Sequence, residues 1–160
     1  MKLTGITTIA LLMLAAPAMA GGSHAGGHDE MMAAGKPGDA SHVDRTVAIT
    51  MSETDDGRMI FEPAGLEVRK GETIRFTVTN AGEIDHEFVL DSHEKNMEHK
   101  ALMEKFPEME HDDPNAIRLS EGGSGEIIWT FAVAGAFEFA CLIPGHYESG
   151  MKGDIVVVSK

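Results

Sequence analysis

Short segments of alternating apolar and polar residues cover most of the chain from residue 44 onward. The alternation is most regular at residues 47–51 and 73–79, and a turn signal containing glycine follows each of these segments. A repeat of two residues is typical of a β-strand that buries one face. Segments of similar apolar character lie at 59–61, 66–69, 88–90, 125–131, 137–141 and 154–158. Short strands separated by turns predict an all-β sandwich or barrel.

One segment departs from this two-residue period. Ser92 is a suitable N-cap and Pro107 a suitable stop, so the pattern predicts a short helical insert at about 93–106. His93 and Met97 lie one turn apart on its polar face. The opposite face, which we expect to contact the sandwich, carries His99, Leu102, Met103 and Phe106.

Residues 1–20 have the features of a secretory signal peptide. Lys2 gives a positive start, residues 6–16 are mostly apolar, and residues 18–20 (Ala-Met-Ala) fit the small-x-small rule for cleavage. A membrane anchor is the alternative, but this apolar run is shorter than the ~18–20 residues that a spanning helix needs. We therefore expect a periplasmic protein with no membrane insertion after cleavage.

Residues 21–43 are rich in glycine and small polar residues and show neither a strand nor a helix period. This composition predicts a disordered N-terminal tail, followed by one domain at residues 44–160. The tail contains His24, His28, His42, Met31 and Met32. Imidazole and thioether groups suit copper, so a weak copper-binding role and a plain flexible linker are both open interpretations.

The chain is acidic, with a formal net charge of −13 at pH 7. This charge argues against nucleic acid or an anionic membrane surface as a partner. It fits attraction of cations or of a basic protein. It also fits a simple role in solubility, and the sequence does not separate these interpretations.

A thiol, an imidazole and a thioether follow one another near the C-terminus. Cys141, His146 and Met151 are separated by four residues in each gap. His86, which precedes an apolar segment, supplies a second imidazole. Two histidines, one cysteine thiolate and a weak axial methionine are the ligands of a blue-copper site, so we expect one type 1 copper as the cofactor.

The single cysteine strengthens this prediction. Exported proteins usually contain cysteines in disulfide-bonded pairs, whereas Cys141 has no second cysteine to pair with. Metal binding protects such a thiol from oxidation. A buried, chemically inert cysteine is the alternative interpretation.

The helical insert and the segment after it contain further potential copper ligands. A second, weaker copper site is one interpretation of them, and ordinary core and surface positions are the other. The residues concerned are His93, Met97, His99, Met103, Met109 and His111.

These motifs resemble those of the cupredoxins, the blue-copper family of plastocyanin, azurin, amicyanin and rusticyanin. The family's C-terminal motif matches Cys141, His146 and Met151, and its upstream ligand matches His86. The resemblance covers about residues 43–160. It implies a cupredoxin Greek-key β-sandwich with one type 1 copper.

A closer similarity is to the CopI-type periplasmic cupredoxins of bacterial copper tolerance. It is carried by residues 86–90 (His-Glu-Phe-Val-Leu), the insert at 106–114 and the segment at 141–151. Those relatives also tend to carry an N-terminal tail with methionine and histidine. The similarity implies protection of the cell envelope from excess copper.

Glu87 departs from the plastocyanin pattern, in which an asparagine commonly follows the first histidine ligand. An ionised carboxylate close to copper would favour Cu(II) and lower the potential, whereas a protonated one could still donate a hydrogen bond. We therefore do not expect the surroundings of the copper to match those of plastocyanin.

Three functional hypotheses arise from these features. The first is a copper-tolerance protein that binds Cu(I); a wider version of this hypothesis adds oxidation of the bound Cu(I). The second is a soluble electron carrier with a redox partner protein. The third, a multicopper oxidase or nitrite reductase, is disfavoured because those enzymes use further copper held by paired histidines, and the chain has no His-x-His pair. We expect the first function, in a monomer that is not an enzyme.

Overall fold

The structure is a computed structural model that describes residues 32–107 and 113–159. These residues form ten strands and one helix. The predicted signal peptide and residues 21–31 of the predicted tail lie outside the described residues. In chain order the elements are β1 (Gly35–Pro37), β2 (Arg45–Glu53), β3 (Met59–Glu62), β4 (Gly65–Arg69), β5 (Thr73–Asn80), β6 (His86–Asp91), α1 (His93–Met103), β7 (Ala116–Leu119), β8 (Ser124–Phe131), β9 (Gly135–Ala140) and β10 (Lys152–Val158).

The strands form two five-stranded sheets that enclose one main core. The first sheet has the order β1-β8-β5-β2-β3, and the second has the order β4-β10-β9-β6-β7. β2 is parallel to β5 and β10 is parallel to β4, whereas the other neighbours are antiparallel. The predicted all-β sandwich with a short helical insert is confirmed. In the described part of the chain, no helix is both long and apolar enough to span a membrane.

Phenylalanine rings join the two sheets. The Phe88 ring on β6 stacks on Phe139 of β9, with their centroids 5.3 Å apart. Phe61 of the opposite sheet meets both rings edge-on, at 5.9 and 5.1 Å between centroids. All three side chains are buried. β6 begins at His86, and β9 ends directly before Cys141. This aromatic contact therefore holds together the two strands that carry the predicted metal ligands.

The helix covers the outer face of the second sheet. Met103 is buried and packs with Val89 and Leu142 in a small second core. β6 is therefore buried on both faces along its whole length. The Ser92 side chain accepts a hydrogen bond from the Lys95 backbone N–H, which confirms the predicted N-cap.

The structure corrects the predicted contact face and end of the helix. The helix ends at Met103 rather than at residue 106, and Leu102 and Phe106 are exposed. Asn96 is buried instead, and its Nδ2 donates to Glu138 Oε1 on β9 at 3.2 Å. This polar contact sets the rotation of the helix, a result that an apolar pattern does not predict.

The structure also departs from the predicted boundary of the tail at residue 43. β1 pairs with β8, with Gly35 opposite Phe131, and Ala34 is fully buried. A side chain at Gly35 would overlap the Thr130 carbonyl group. The small residues that suggested disorder therefore allow close approach to the edge of the first sheet.

Replacing Phe88 with alanine tests the aromatic contact between the sheets. We expect the free energy of unfolding of the apo-protein to fall by about 3–5 kcal/mol, because the change leaves a cavity among buried rings. Val156→Ala, at a side chain that is 47% exposed, is the control and should cost less than about 1 kcal/mol. Chemical denaturation followed by circular dichroism measures both values. Equal losses in the two variants would contradict this account of the core.

Candidate metal centre

Three side chains that are far apart in the sequence meet at one end of the sandwich. The ligand atoms of His86, Cys141 and His146 all lie within 4.8 Å of one another. The two Nδ1 atoms are 3.2 Å apart, and Cys141 Sγ lies 3.3 Å from His146 Nδ1. His86 and Cys141 are fully buried, and His146 is 8% exposed. The predicted convergence of these three residues is therefore observed.

Each of these residues lies at or beyond the end of a strand. His86 is the first residue of β6, and Cys141 directly follows the last residue of β9. β6 and β9 are antiparallel neighbours with Val89 opposite Ala140, so Cys141 lies beside the first half of β6. The site is thus built at the edge of a rigid sheet.

Backbone hydrogen bonds shape the loop between β9 and β10. The His146 N–H donates to the Ile143 carbonyl at 3.0 Å, and Gly145 between them has φ of +90°. With Pro144 before a glycine of positive φ, this is a type II turn. The turn directs the His146 ring back toward Cys141.

Met151 closes the same loop. The Cys141 N–H donates to the Met151 carbonyl at 3.1 Å, and the Met151 N–H donates to the His146 carbonyl at 3.1 Å. Its side chain is fully buried in the main core, in the same cluster as Cys141. The backbone of Met151 is thus joined to the backbones of two of the converging residues. Its predicted role as axial ligand stays a prediction.

Burial controls the protonation of the site. Desolvation raises the pKa of the Cys141 thiol to about 12, so the thiol is protonated at neutral pH without metal. Desolvation, together with the nearby His86, lowers the pKa of His146. The imidazole of His146 consequently stays neutral to lower pH than usual, with a lone pair available for a metal.

Glu87 lies beside the thiol. Its backbone N–H donates to Cys141 Sγ at 3.3 Å, and its side chain is buried. Its carboxylate contributes to the raised pKa of Cys141, although less than desolvation does. The carboxyl group of Glu87 therefore lies close to the sulfur of Cys141.

The imidazole of His86 is held from its outer side. His86 Nε2 lies 2.8 Å from Glu53 Oε1 at the end of β2. The other oxygen of Glu53 accepts the backbone N–H of Glu83 at 2.9 Å. The sequence analysis missed Glu53, because no local pattern relates it to a residue 33 positions away.

Asn80 is a second residue that the sequence analysis missed. This fully buried side chain donates to the carbonyl groups of Ile84 and Leu119, at 2.7 and 2.9 Å. Its own oxygen accepts the Gly82 N–H at 2.9 Å. It therefore fixes the loop that leads from β5 to His86. The sequence indicated only a turn at this point.

The chemistry of these donors fits copper. One sulfur that binds as thiolate and two imidazole nitrogens, with a thioether nearby in the chain, suit a metal that alternates between Cu(I) and Cu(II). The group formed by His86, Cys141 and His146 is consistent with one type 1 copper. Each would bind through the atom that faces the other two, Nδ1 for the histidines and Sγ for the cysteine.

The residues predicted to form a second copper site are not gathered at one point. His93 lies on the surface, with Nδ1 3.3 Å from Glu138 Oε2, whereas Met103 is buried in the second core. His99 lines a cleft that Met32 also lines, and Met97 is partly buried. Met109 and His111 lie outside the described residues. The second copper site stays a prediction.

Comparisons with known proteins all indicate copper-binding proteins. A family model described as copper binding proteins of the plastocyanin/azurin family matches residues 48–158. A protein of Rubrivivax gelatinosus named "Copper-resistant cuproprotein CopI" is 50% identical over 139 residues, which cover 86% of this chain and 82% of that protein. A Pseudomonas aeruginosa protein of the same name is 34% identical over 152 residues, which cover 77% of this chain and 81% of its own.

Solved structures support the same fold. The structure of sodium-dithionite-reduced auracyanin from Roseiflexus castenholzii is similar with a TM-score of 0.59 and 24% sequence identity. The similarity covers 72% of this chain and 98% of auracyanin. At this identity it shows the fold alone.

Copper binding should release the thiol proton. We expect about one proton to be released per Cu(II) at pH 7, because the pKa of Cys141 is raised to about 12 in the apo-protein. The apparent affinity should then rise about tenfold per pH unit near neutrality and fall as the pH is lowered. Calorimetric titration in buffers of different ionisation enthalpy measures the proton count. An affinity that does not change with pH would contradict thiolate binding, and Cys141→Ala is the control without a thiol.

Replacing Glu87 with asparagine should raise the midpoint potential of the copper-loaded protein. Loss of a buried negative charge beside the sulfur favours Cu(I), and a tenfold change in preference corresponds to ~59 mV for one electron. Direct electrochemistry gives the midpoint, with Glu67→Asn on an exposed part of β4 as the control. A midpoint that is unchanged or lower would disprove the effect.

Proposed function

Because the chain belongs to the plastocyanin/azurin family of copper-binding proteins, we propose that it protects the cell envelope from excess copper by binding copper at one type 1 centre. In this proposal His86, Cys141 and His146 would hold the ion, together with Met151. Copper bound there supplies one-electron exchange between Cu(I) and Cu(II). The observation that carries the proposal is the buried convergence of the three donor atoms.

The chain's own residues suit a centre that changes oxidation state with little rearrangement. His86 and Cys141 are anchored to adjacent strands, and the loop that carries His146 is closed by hydrogen bonds at both ends. Complete burial of two donors excludes water from that side. Such a fixed and dry set of donors limits the reorganisation that accompanies electron exchange.

Copper tolerance is the role that the relatives support best. The two curated relatives described above carry copper resistance in their names. We include location in the periplasm and oxidation of Cu(I) in the proposal, with the electron passing to a redox partner protein. The predicted signal peptide supports the location. The thioether and imidazole groups of the tail and the helical insert support contact with additional copper.

A soluble electron carrier is the second candidate. The observation that favours it is the slight exposure of His146, the one partly accessible member of the converging group, beside the exposed Pro144 and the half-buried Ile143. An apolar surface around an accessible ligand suits a brief encounter with a redox protein. Copper stoichiometry and the conditions under which the protein is needed separate the two functions.

Titration of the mature protein with Cu(I) and with Cu(II) tests the proposed function. We expect an intense thiolate-to-copper absorption band with one Cu(II), and loss of that band in Cys141→Ala. Cu(I) retained by the variant would locate further copper outside the type 1 centre and support copper tolerance. Saturation at one copper, with none bound by the variant, would support the electron carrier. Absence of the band in the wild-type protein would overturn the type 1 assignment.

Growth experiments give the matching test in cells. Wild-type protein should restore growth of a deletion strain under copper stress, and Cys141→Ala should not. Without added copper, the deletion strain should grow normally. A growth defect that depends on the electron acceptor, rather than on copper, would contradict the tolerance role.

A further inference from the structure

We propose that Glu53 is a positioning residue for the metal centre, which fixes the His86 ring so that Nδ1 faces the copper. The inference deepens the proposed function and rests on it, since it concerns a ligand of the same site. It starts from the contact between His86 Nε2 and Glu53 Oε1, at 2.8 Å. A carboxylate oxygen only accepts, so Nε2 carries a proton, and in the neutral ring Nδ1 then keeps its lone pair.

The contact between His86 and Glu53 lies on the side of the His86 ring that faces away from the other metal ligands. His86 Nδ1 faces His146 Nδ1 at 3.2 Å, while Nε2 of the same ring contacts Glu53 on the opposite side. The His86 side chain is fully buried, and that of Glu53 is one quarter exposed. Glu53 therefore lies on the solvent side of a buried ligand and determines both its tautomer and its orientation.

Both neighbours of the Glu53 carboxylate are hydrogen-bond donors. Oε1 faces the Nε2–H of His86, and Oε2 accepts the backbone N–H of Glu83. Only a side chain with two acceptor oxygens satisfies both donors. A glutamine of the same size would direct its NH₂ group at one of them, so the glutamate is specifically suited to this position.

Gly82 provides the room for this carboxylate. A Cβ atom at Gly82 would overlap both oxygens of Glu53, the Oε1 oxygen at 2.7 Å. The loop around it is held by Asn80, whose Oδ1 accepts the Gly82 N–H. Because Asn80 holds the loop without Glu53, we expect removal of the Glu53 charge to affect the ligand ring more than the fold.

The expected consequence is a preference for Cu(II). A carboxylate that accepts the outer N–H of a ligating imidazole raises the basicity of the inner nitrogen. A more basic nitrogen and a nearby negative charge both stabilise the more highly charged ion. Glu53 is thus expected to favour Cu(II) over Cu(I) at this centre.

The first test uses the apo-protein and does not depend on copper. Long-range ¹H–¹⁵N correlation spectra at mildly alkaline pH report which nitrogen of His86 carries the proton. We expect Nε2–H in the wild type and a clear loss of that tautomer in Glu53→Leu, whose side chain offers no acceptor to Nε2–H. Glu67→Leu makes the same change at an exposed position and should leave the His86 spectrum unchanged. A wild-type ring protonated at Nδ1, or a tautomer unchanged in Glu53→Leu, would overturn the proposal.

The second test measures the affinities for Cu(II) and Cu(I) by competition with chelators. Glu53→Gln should lower Cu(II) affinity ~10–100-fold and Cu(I) affinity less. A tenfold fall in the ratio of Cu(II) affinity to Cu(I) affinity corresponds to a midpoint potential ~59 mV higher. Gly82→Ala keeps the charge but displaces the carboxylate, so it should change the ratio in the same direction even if Glu53→Gln folds poorly. An unchanged ratio in the folded variants would overturn the proposal.

The two tests separate failure of this inference from failure of the proposed function. If the wild-type protein shows no thiolate-to-copper band, the type 1 assignment fails, yet the apo spectra still decide whether Glu53 fixes the His86 tautomer. If the band is present and the variants match the wild type, only the role of Glu53 fails.

Discussion

Antiparallel pairing of β9 with β10 is the constraint on which the metal centre depends. Ala140 lies opposite Lys152 in this register, so the residues just beyond them, Cys141 and Met151, come together. The hydrogen bond between the Cys141 N–H and the Met151 carbonyl continues the ladder by one step. A shift of one residue in this register would move every side chain of the shifted strand to the opposite face of the sheet and break the contact between Cys141 and Met151. The strand pairing thus determines whether the loop between β9 and β10 can bring its potential copper ligands together.

Packing on both faces of β6 and β9 holds the strands of the metal centre in place. Phe88 and Phe139 lie on the strands that carry His86 and Cys141, and their stacked rings hold those strands together inside the core. The helix covers the opposite face of the same strands. Since protein interiors are close-packed and relax little, a site attached to strands buried on both faces keeps its geometry when the charge of its occupant changes. Stability of the core and suitability for electron exchange therefore have the same structural origin.

The centre itself could be predicted because its signal is local. Cys141, His146 and Met151 lie within one loop at regular spacing, and His86 precedes an apolar strand, so sequence pattern alone indicated the donors. Glu53 could not be found in this way, because its contacts depend on how β2 and the β5–β6 loop meet in three dimensions. Asn80 could not be found either, because its contact with the Leu119 carbonyl joins residues 39 positions apart.

Weak or mixed patterns account for the elements that differed from expectation. β1 was missed because glycine and proline there suggested disorder, whereas the small residues in fact allow close pairing with β8. β7 was missed because its four residues carry little periodicity. The helix was predicted, but its rotation follows the polar contact between Asn96 and Glu138 rather than the apolar positions. Alternation thus predicted the strands, while polar contacts between distant elements decided the details.

The lengths of the edge strands have a consequence for behaviour at high concentration. In the described ranges, the strands at the four sheet edges are short: β1, β3, β4 and β7 contain three, four, five and four residues. Pro37 in β1 also lacks a backbone N–H. Long, flat edges invite pairing between molecules and lead to aggregation, and short edges with proline resist it. The sandwich is therefore protected against pairing between the sheet edges of neighbouring molecules.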